Sequence, residues 1–487
     1  MKKEKPSYIR LGGGLEICRV LTGLWQIADM EKDRGVLDPM STATYMDRYV
    51  RAGFTTFDMA DHYGSAEVIA GTYAATNDKR VQLLTKWVPK PGVVSVSEVR
   101  GAIQKSLDRL QTSSIDLLQY HAWNYADPNY LDQLFVLQSM KEEGLIKHLG
   151  LTNFDANHLR VVCASGIDVV TNQISYSLLD QRASQDMTNV CEEFDVKILA
   201  FGTVGGGFLS EKWLGREDPK SLSSWSLMKY SRFIEAIGGW SSFQRLLKVL
   251  SEIAGKHEVS LSNVASKYIL DQPQVAGVII GARLGESEHI DDNLNLFGFQ
   301  LSENDTQSIK SVIKGFRPIP GGCGDEYRKP PFLTASGDLS HHLETIPKPF
   351  KTLESDGIQR VMSGTTWEDE FGYCRALKVG NQICVSGTTA SHGDILIGDD
   401  DPEAQAHFVI DKIEGALQSL GSKLEDVVRT RIFVQHLDDW EPIARAHGKR
   451  FAHIKPANTL VQAGLVGKEF LVEIEAEALI AENTDSI

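Results

Sequence analysis

Short apolar runs recur from residue 20 to about residue 281, and each is followed by a stretch with helical spacing of its apolar positions. Near-continuous apolar runs are typical of strands buried on both faces, as in parallel sheets whose strands alternate with helices. The pattern predicts eight strands: Val20–Trp25, Phe54–Ala60, Val81–Trp87, Ile115–Ala122, His148–Asn153, Val169–Ser175, Lys197–Gly202 and Ala276–Gly281.

The segments between these strands predict amphipathic helices. The clearest are Val99–Leu110, Tyr130–Glu143, Ser184–Phe194 and Asn263–Leu270. Eight β/α units in about 300 residues suit a closed (β/α)8 TIM barrel better than an open sheet. Ahead of them, residues 9–11 and 15–19 predict a hairpin around Gly12–Gly14 that caps the bottom of the barrel. The first part of the chain is therefore predicted to be an α/β barrel.

The pattern changes twice after the barrel. Prolines and glycines crowd residues 315–356, which predicts an arm or linker without regular elements. Alternating strands then return, with helices at Glu403–Leu420 and Trp440–His453. The five strands are Tyr373–Gly380, Gln382–Thr388, Val427–His436, Asn458–Gly464 and Phe470–Leu479. We therefore divide the chain into a barrel (1–314), a proline-rich arm (315–356) and a second domain (357–487).

Composition and charge narrow the possible partners. The 487 residues carry a net charge of −15, which argues against nucleic acid or an anionic membrane as the main partner. No apolar stretch is long enough to cross a membrane, and no signal-peptide pattern follows Met1. The six cysteines show neither metal-ligand nor disulfide spacing, which predicts reduced thiols in a cytoplasmic protein. Asp399–Asp401 before Pro402 is typical of a helix start rather than a metal loop.

Polar side chains follow the predicted barrel strands at the end where barrel enzymes carry their active sites. Asp58 and Tyr63 follow the second strand, Lys86 ends the third and His121 ends the fourth. Each of them alone is explained as a cap or a solvated strand end. Four titratable groups at one rim are less easily accidental, and they suit proton donation to a carbonyl.

The proposed acid is Tyr63, because a neighbouring ammonium can lower the pKa of a phenol. A free tyrosine titrates near pH 10, and a lowering of about three units requires roughly 4 kcal/mol of preference for the phenolate. One ammonium about 4 Å away supplies roughly that amount at an effective dielectric constant near 20. Lys86 would supply this charge, Asp58 would hold Lys86, and His121 would orient the substrate carbonyl or relay a proton.

Two segments resemble the signature of the aldo-keto reductases, and the resemblance extends over about residues 8–310. They are Gly53–Glu67, which contains Asp58 and Tyr63, and Leu145–Phe154. The resemblance implies that Asp58, Tyr63, Lys86 and His121 are the catalytic residues, that tyrosine is the general acid, and that NADPH supplies the hydride.

The same resemblance implies a set of cofactor-binding residues. Asn153 and Gln173 match the pair that holds the nicotinamide carboxamide, and Phe201 takes the place of a stacking aromatic residue. The loop with Gly202 and Gly205 would lie over the pyrophosphate. Arg283 would read the adenosine 2′-phosphate, which favours NADP over NAD. The remaining matches are Gly23, Gly281, Asp292 and Asn293, with aspartate where the family usually has glutamate.

The tryptophans near the strand ends are candidates for substrate contact. Trp25, together with Gly23, matches a family position at the substrate mouth, and Trp87 and Trp123 are predicted to add aromatic walls. Core packing is an equally good explanation for each tryptophan. A dinucleotide-binding Rossmann site is not indicated, because no GxGxxG motif follows the first strand.

The second domain resembles the Rid, or YjgF-like, family of reactive-intermediate deaminases. The similarity lies in Gly372–Gly380, Ile383–Thr388, Leu424–Val428, Pro456–Thr459 and Val472–Ala476. It implies a small α+β domain that forms trimers with sites between subunits, built here from Tyr373, Gly387, Asn458 and Glu473. Deaminating members have arginine where this chain has Asn458, and asparagine cannot make a charged bidentate contact with a carboxylate.

We therefore predict a fused, homo-oligomeric enzyme whose barrel reduces an aldehyde or ketone with NADPH and needs no metal. The Rid-like domain would serve oligomerisation or the handling of imines and enamines. The alternative is a regulatory or redox-sensing barrel that binds NADPH on a Rid-like trimer.

Overall fold

The computed structural model describes residues 4–32, 34–329 and 339–481 of the chain. Eight parallel strands form a closed barrel in which each strand pairs with the next along the chain and the last pairs with the first. They are β3 (Val20–Gly23), β4 (Thr56–Asp58), β5 (Gln82–Trp87), β6 (Leu117–Tyr120), β7 (Leu149–Thr152), β8 (Val169–Ser175), β9 (Lys197–Phe201) and β10 (Val275–Gly281). The predicted (β/α)8 barrel is confirmed.

Helices surround the barrel between successive strands and after the last strand. They are α1 (Trp25–Glu31), α2 (Pro39–Ala52), α3 (Ala66–Thr76), α4 (Val96–Leu110), α5 (Asn129–Glu142), α6 (Ala156–Ala164), α7 (Asp186–Glu193), α8 (Trp225–Ala236), α9 (Trp240–His257), α10 (Leu261–Leu270), α11 (Ile290–Asn295) and α12 (Glu303–Ile313). Local signals set several of their starts. Asp38, for example, accepts a hydrogen bond from the Ser41 amide ahead of Pro39, and Ser95 forms a capping box with Glu98.

A small hairpin closes the bottom of the barrel, as the sequence predicted. It consists of β1 (Tyr8–Arg10) and β2 (Glu16–Cys18). Leu11, Leu15 and Ile17 are buried in one cluster with barrel residues such as Leu84 and Leu199. This apolar plug seals the end opposite the strand termini, so the open end is left for chemistry.

The arm contains regular elements, so the prediction that proline density excludes them was wrong. Helix α13 (Asp325–Arg328) and a 3-10 helix (Ser340–Thr345) lie in it, and β11 (Lys351–Ser355) pairs with the strand that follows. The prolines lie between these elements rather than within them. Pro330 and Pro331 of the predicted arm lie outside the described residues.

The second domain is a mixed sheet with two long helices on one face. Its strands are β12 (Ile358–Met362), β13 (Ala376–Val379), β14 (Gln382–Thr388), β15 (Ser391–His392), β16 (Ile395–Leu396), β17 (Val427–Val434), β18 (Ala457–Gln462) and β19 (Val472–Leu479). Its helices are α14 (Thr366–Phe371), α15 (Pro402–Ser419) and α16 (Trp440–Phe451). The seven-stranded sheet has the order β11-β12-β13-β14-β19-β17-β18. The predicted α+β fold is confirmed.

Helix α15 lies between the sheet of the second domain and helix α6 of the barrel. Asp401 caps its start by accepting from the Ala404 amide at 2.8 Å, as its sequence predicted. Polar residues are buried on it as well as apolar ones, because the barrel covers the side that the sheet leaves free. No helix in the described part of the chain is long and apolar enough to cross a membrane.

Candidate active site

Three titratable side chains meet at the open end of the barrel. Lys86 is 3% exposed, and its ammonium donates hydrogen bonds of 2.7 Å to Asp58 Oδ2 and 2.7 Å to the Met59 carbonyl. The same nitrogen lies 5.0 Å from the ring centroid of Tyr63. The structure thus brings Asp58, Lys86 and Tyr63 together, because the ends of neighbouring parallel strands share one rim.

The carboxylate of Asp58 is held on both of its oxygens. Oδ1 accepts from Gln173 Nε2 at 2.7 Å and from Gln119 Nε2 at 3.3 Å, while Oδ2 binds Lys86. Burial lowers the pKa of Lys86, and the charge of Asp58 acts in the opposite direction. The carboxylate therefore favours a charged lysine in an interior where a lone ammonium would lose its proton more easily.

His121 faces the same cavity from the end of β6. Its Nδ1 lies 3.4 Å from the Thr152 carbonyl, and its buried Nε2 has no hydrogen-bond partner among the described residues. Burial, together with the nearby Arg328 guanidinium, holds the pKa of His121 well below its usual range. A neutral imidazole with one unpartnered nitrogen suits the orientation of a carbonyl oxygen.

The cavity at this rim has a volume of about 600 Å³, which is in the range of cofactor and small-molecule sites. It is lined by Asp58, Tyr63, Lys86 and His121. The cofactor candidates that also line it are Gly23, Asn153, Gln173, Phe201, Gly202, Gly281, Arg283, Asp292 and Asn293. The four predicted catalytic residues and all but one of the predicted cofactor-binding residues therefore line the same cavity.

Asn153 is the lining residue that best fits a nicotinamide carboxamide. Its Oδ1 is buried without a hydrogen-bond partner among the described residues, so it is available to accept a hydrogen bond from an amide N–H. Its backbone has a φ of 61°, a left-handed conformation that asparagine tolerates better than most residues. Gln173 lines the cavity too, although its Nε2 already donates to Asp58. Both residues fit the proposed cofactor.

The glycine-rich turn after β9 has no room for a side chain at Gly202 and Gly206. A Cβ at Gly206 would lie 2.8 Å from the Tyr230 ring and 2.9 Å from the Ser226 carbonyl. Gly202, Val204, Gly206 and Gly207 line the cavity. The expectation for Gly205 needs correction, because this residue is buried behind the turn, where an added Cβ would face Leu179 and Leu209.

The adenosine end of the predicted cofactor site carries mixed charges. Arg283 is 29% exposed in its side chain and pairs with Asp29 and Glu286. Asp292 accepts hydrogen bonds of 2.9 Å from both Ser260 and Asn263. The acidic partners hold the guanidinium at the rim, and a bound phosphate would have to share it with them.

The three predicted substrate tryptophans have different positions. Trp25 starts α1 rather than ending a strand, and its ring packs edge-to-face on Tyr63 with centroids 4.9 Å apart. Trp123 lines the cavity beside His121. Trp87 points away from it and is buried against Tyr120, with ring centroids 5.7 Å apart. Neighbouring residues on a strand face opposite sides, so Lys86 and Trp87 cannot both face the cavity.

Several lining residues were missed by sequence reasoning. Tyr327, from the arm, lies 6.0 Å from His121 between ring centroids, and Trp225 lies 5.9 Å from Trp25. Lys212 and Lys229 also line the cavity. A signal existed for Lys212, because a cation shortly after a glycine-rich turn suits a phosphate site. No local pattern pointed to Tyr327, which reaches the site from outside the barrel.

The predicted Rid-like residues are only partly together in one chain. Gly387 is adjacent to Glu473, because an added Cβ would lie 1.9 Å from Glu473 Oε1. Arg375, which sequence reasoning missed, donates to the Gly387 carbonyl at 2.7 Å and lies 3.5 Å from Tyr373 Oη. Burial raises the pKa of Glu473, and Arg375 opposes that rise. Asn458 lies on β18 and donates to Thr430 instead.

Comparison with known proteins assigns both parts of the chain. The model of the aldo/keto reductase family matches residues 19–314, and a second model, described as endoribonuclease L-PSP, matches residues 367–480. The second model covers YjgF-type domains, so the predicted resemblance of about residues 357–483 to that family is confirmed. The catalytic and cofactor candidates all lie within the first match.

Individual relatives divide along the same line. An uncharacterized protein of Streptomyces coelicolor is 37% identical over 127 residues, which cover 26% of this chain and 95% of that protein. An uncharacterized oxidoreductase of Bacillus subtilis is 26% identical over 283 residues, covering 55% of this chain and 86% of its own length. The first relative spans the length of a single small domain, and the second spans that of a barrel.

The structure of a glycerol dehydrogenase from Gluconobacter oxydans is similar to the barrel. It is 22% identical, covers 66% of this chain and 98% of its own, and has a TM-score of 0.52. This likeness shows the barrel fold. The family match and the oxidoreductase relatives support carbonyl reduction in general as the chemistry of the barrel. With more than half of its length matched by the family model, the chain belongs to the aldo/keto reductase family.

Proposed function

We propose that the barrel reduces an aldehyde or ketone to an alcohol with NADPH. The bound nicotinamide would supply the hydride, and Tyr63 would give the carbonyl oxygen its proton. Lys86 would favour the phenolate by its charge, Asp58 would hold Lys86, and neutral His121 would orient the carbonyl. The observation that carries this proposal is the Lys86 ammonium, which lies between the Asp58 carboxylate and the Tyr63 ring in one cavity.

The test is NADPH oxidation by the full chain across a panel of aldehydes and ketones. Steady turnover of any of them supports the reductase. The alternative, a redox-sensing barrel, predicts a single slow oxidation of bound NADPH with every compound. That second result would overturn the proposed function.

Arg283 is proposed to set the preference for NADPH. Loss of one charge-assisted contact to the 2′-phosphate should weaken NADPH binding in Arg283→Ala by about 10- to 100-fold, whereas NADH binding should stay nearly unchanged. Fluorescence titration with both cofactors measures this. Arg48→Ala is the matched control, because Arg48 pairs with Glu288 at 2.9 Å and does not line the cavity. Equal losses for NADPH and NADH would contradict the assignment.

We propose three functional parts: the barrel (1–314), the arm (315–356) and the Rid-like domain (357–487). The Rid-like domain would hold three chains together or handle imines and enamines related to the barrel's substrate by hydrolysis. Asn458 in place of the family arginine argues against 2-imino acids as its substrates.

The six cysteines are all free thiols, which supports action in a reducing compartment such as the cytoplasm.

The trimer would form through the sheet face that the helices leave uncovered. Phe433 and Val461 lie there beside Glu473, on neighbouring strands. In solution the chain should have about three times its 53.9 kDa mass, and Phe433→Asp should shift it toward the monomer. Met40→Asp is the control, because Met40 is an exposed apolar residue on the barrel. Light scattering measures both, and a monomeric unaltered chain would contradict the proposal.

A further inference from the structure

The start of the arm packs directly on the loop that carries Asn153. Gly324 has a φ of 84°, and a Cβ there would lie 1.9 Å from the Asn153 carbonyl oxygen. Arg182 anchors the same segment by donating 2.6 Å to the Gly322 carbonyl and 2.7 Å to Glu326. Only glycine allows this approach, so the contact is built into the backbone of the arm.

The side chain of Arg328 extends this contact to two loops of the barrel. Its Nε donates 2.8 Å to the Ala122 carbonyl, and its Nη1 donates 2.8 Å to the Asn153 carbonyl. The guanidinium also lies 4.3 Å from the centroid of the Tyr125 ring. Ala122 follows His121 directly, so one side chain joins the loop of the carbonyl-orienting histidine to the loop of the proposed nicotinamide-binding asparagine.

We propose that Arg328 is a positioning residue for the reductase, which fixes His121 and Asn153 relative to each other from outside the barrel. This inference rests on the proposed function. Arg328 lies beyond the residues that the family model matches, which end at 314. Its two donors are fixed in one plane, and they bridge two backbone carbonyls that belong to different strand ends.

The hydrogen bonds of Arg328 matter because few other contacts hold the functional atoms of His121 and Asn153 in place. His121 Nε2 and Asn153 Oδ1 have no partners among the described residues, and the backbone of Asn153 is in a sparsely populated conformation. Such a conformation persists when its surroundings hold it. Without Arg328, Asn153 loses a charge-assisted hydrogen bond on its carbonyl, and a shift there moves its side chain relative to the cofactor.

The test compares Arg328→Met and Arg328→Lys with Arg317→Met in the full chain. Arg317 is also an arm arginine that donates to a main-chain carbonyl, that of Glu235 at 2.8 Å, but Glu235 does not line the cavity, whereas Asn153 does. The measurements are kcat and KM for a reduced carbonyl, the Kd of NADPH by fluorescence, and the melting temperature. Methionine removes both donors, and lysine keeps the charge but cannot span two carbonyls in a fixed plane.

We expect Arg328→Met to lower kcat by about tenfold or more and to raise the Kd of NADPH at least about threefold, with a smaller change in the KM for the carbonyl. Arg328→Lys should stay impaired in kcat, and Arg317→Met should resemble the unaltered chain. Unchanged kcat and Kd in Arg328→Met overturn the inference, as does full recovery in Arg328→Lys. A decrease in kcat that is explained entirely by a smaller fraction of folded protein also overturns the inference.

The test gives an answer even if Arg328→Met does not fold or the unaltered chain has no reductase activity. If Arg328→Met does not fold, Arg328→Lys alone decides, because impaired kcat at a normal melting temperature supports positioning and normal kcat overturns it. If the unaltered chain reduces no carbonyl, the proposed function fails. The Kd of NADPH then still tests whether Arg328 holds Asn153.

Discussion

Replacing Tyr63 by phenylalanine should lower kcat for carbonyl reduction by about 10²- to 10⁴-fold, the usual contribution of a positioned general acid. The ring should remain in place, because it packs against Trp25 with centroids 4.9 Å apart and lies over Lys86. NADPH binding should therefore change little. Steady-state kinetics and fluorescence titration of the same preparation separate the two effects.

The physical reason is the unfavourable acidity of an ordinary phenol. At neutral pH a tyrosine with an unshifted pKa gives up its proton reluctantly, and a nearby ammonium lowers the free energy of the phenolate. Lys86→Met removes that charge and should also lower kcat by at least about tenfold, because a shift of one pKa unit corresponds to about 1.4 kcal/mol. It should further move the alkaline limb of the rate profile to higher pH.

A matched control comes from a tyrosine away from the cavity. Tyr45 packs beside Gly285 and Arg48 and does not line the site, so Tyr45→Phe should retain normal turnover. Near-normal kcat in Tyr63→Phe would contradict the proposed acid. Loss of turnover together with loss of NADPH binding would point to a disturbed cavity instead.

Replacing Asp411 by asparagine should lower the free energy of unfolding by about 3–5 kcal/mol, as expected when one partner of a buried ion pair is removed. Asp411 is 1% exposed on α15 and accepts from His158 Nε2 of the barrel and, at 2.6 Å, from Arg450 of α16. The substitution leaves two buried cations without this carboxylate. Thermal and urea unfolding of the full chain measure the loss.

This pair also makes stability depend on pH in a defined direction. Burial lowers the pKa of His158, but Asp155 and Asp411 outweigh it and raise the pKa to about 9. The charged His158 therefore stabilises the folded protein fully at pH values below about 6.5, the pKa of histidine in the unfolded chain. This stabilisation is lost as the pH rises through about 9. Unfolding free energy should thus fall by on the order of 3 kcal/mol over that window. In Asp411→Asn the fall should be smaller.

The control is a carboxylate that itself lies at the surface. Asp168 pairs with Lys141, and the Asp168 side chain is 68% exposed. Exposed pairs contribute about 0–1 kcal/mol, so Asp168→Asn should leave unfolding nearly unchanged. A similar decrease in the free energy of unfolding in both variants would show that the ion pair between α6 and α15 contributes no more to stability than an exposed pair.

Sequence patterns were most informative where local rules apply. All eight barrel strands were predicted at nearly their observed positions, and β8 (Val169–Ser175) agrees to the residue. Buried parallel strands are continuous apolar runs, and their polar last residues mark the rim. The same rules predict from the sequence that Asp58, Lys86 and His121 lie together, because the ends of parallel strands point the same way.

Errors arose where a side chain's direction or a distant contact matters. Trp87 could have been excluded from the cavity, because its neighbour Lys86 faces inward and adjacent strand residues alternate. The strand β11 and the helix α13 were excluded by proline density, although the prolines lie between them. Tyr327 and Arg328 carry no pattern of their own. Tyr327 reaches His121, and Arg328 binds residues 206 and 175 positions earlier in the chain.

Amino-acid order alone was enough to establish a barrel, a second domain and the chemical groups at the strand ends, since periodicity and strand polarity act over short distances. The folded arrangement added the side chains that reach the site from the arm and the burial of α15 between two domains. It also placed His158 beside Asp411, 253 residues apart. Contacts of this kind depend on how finished elements pack, and no local pattern encodes which distant surfaces meet.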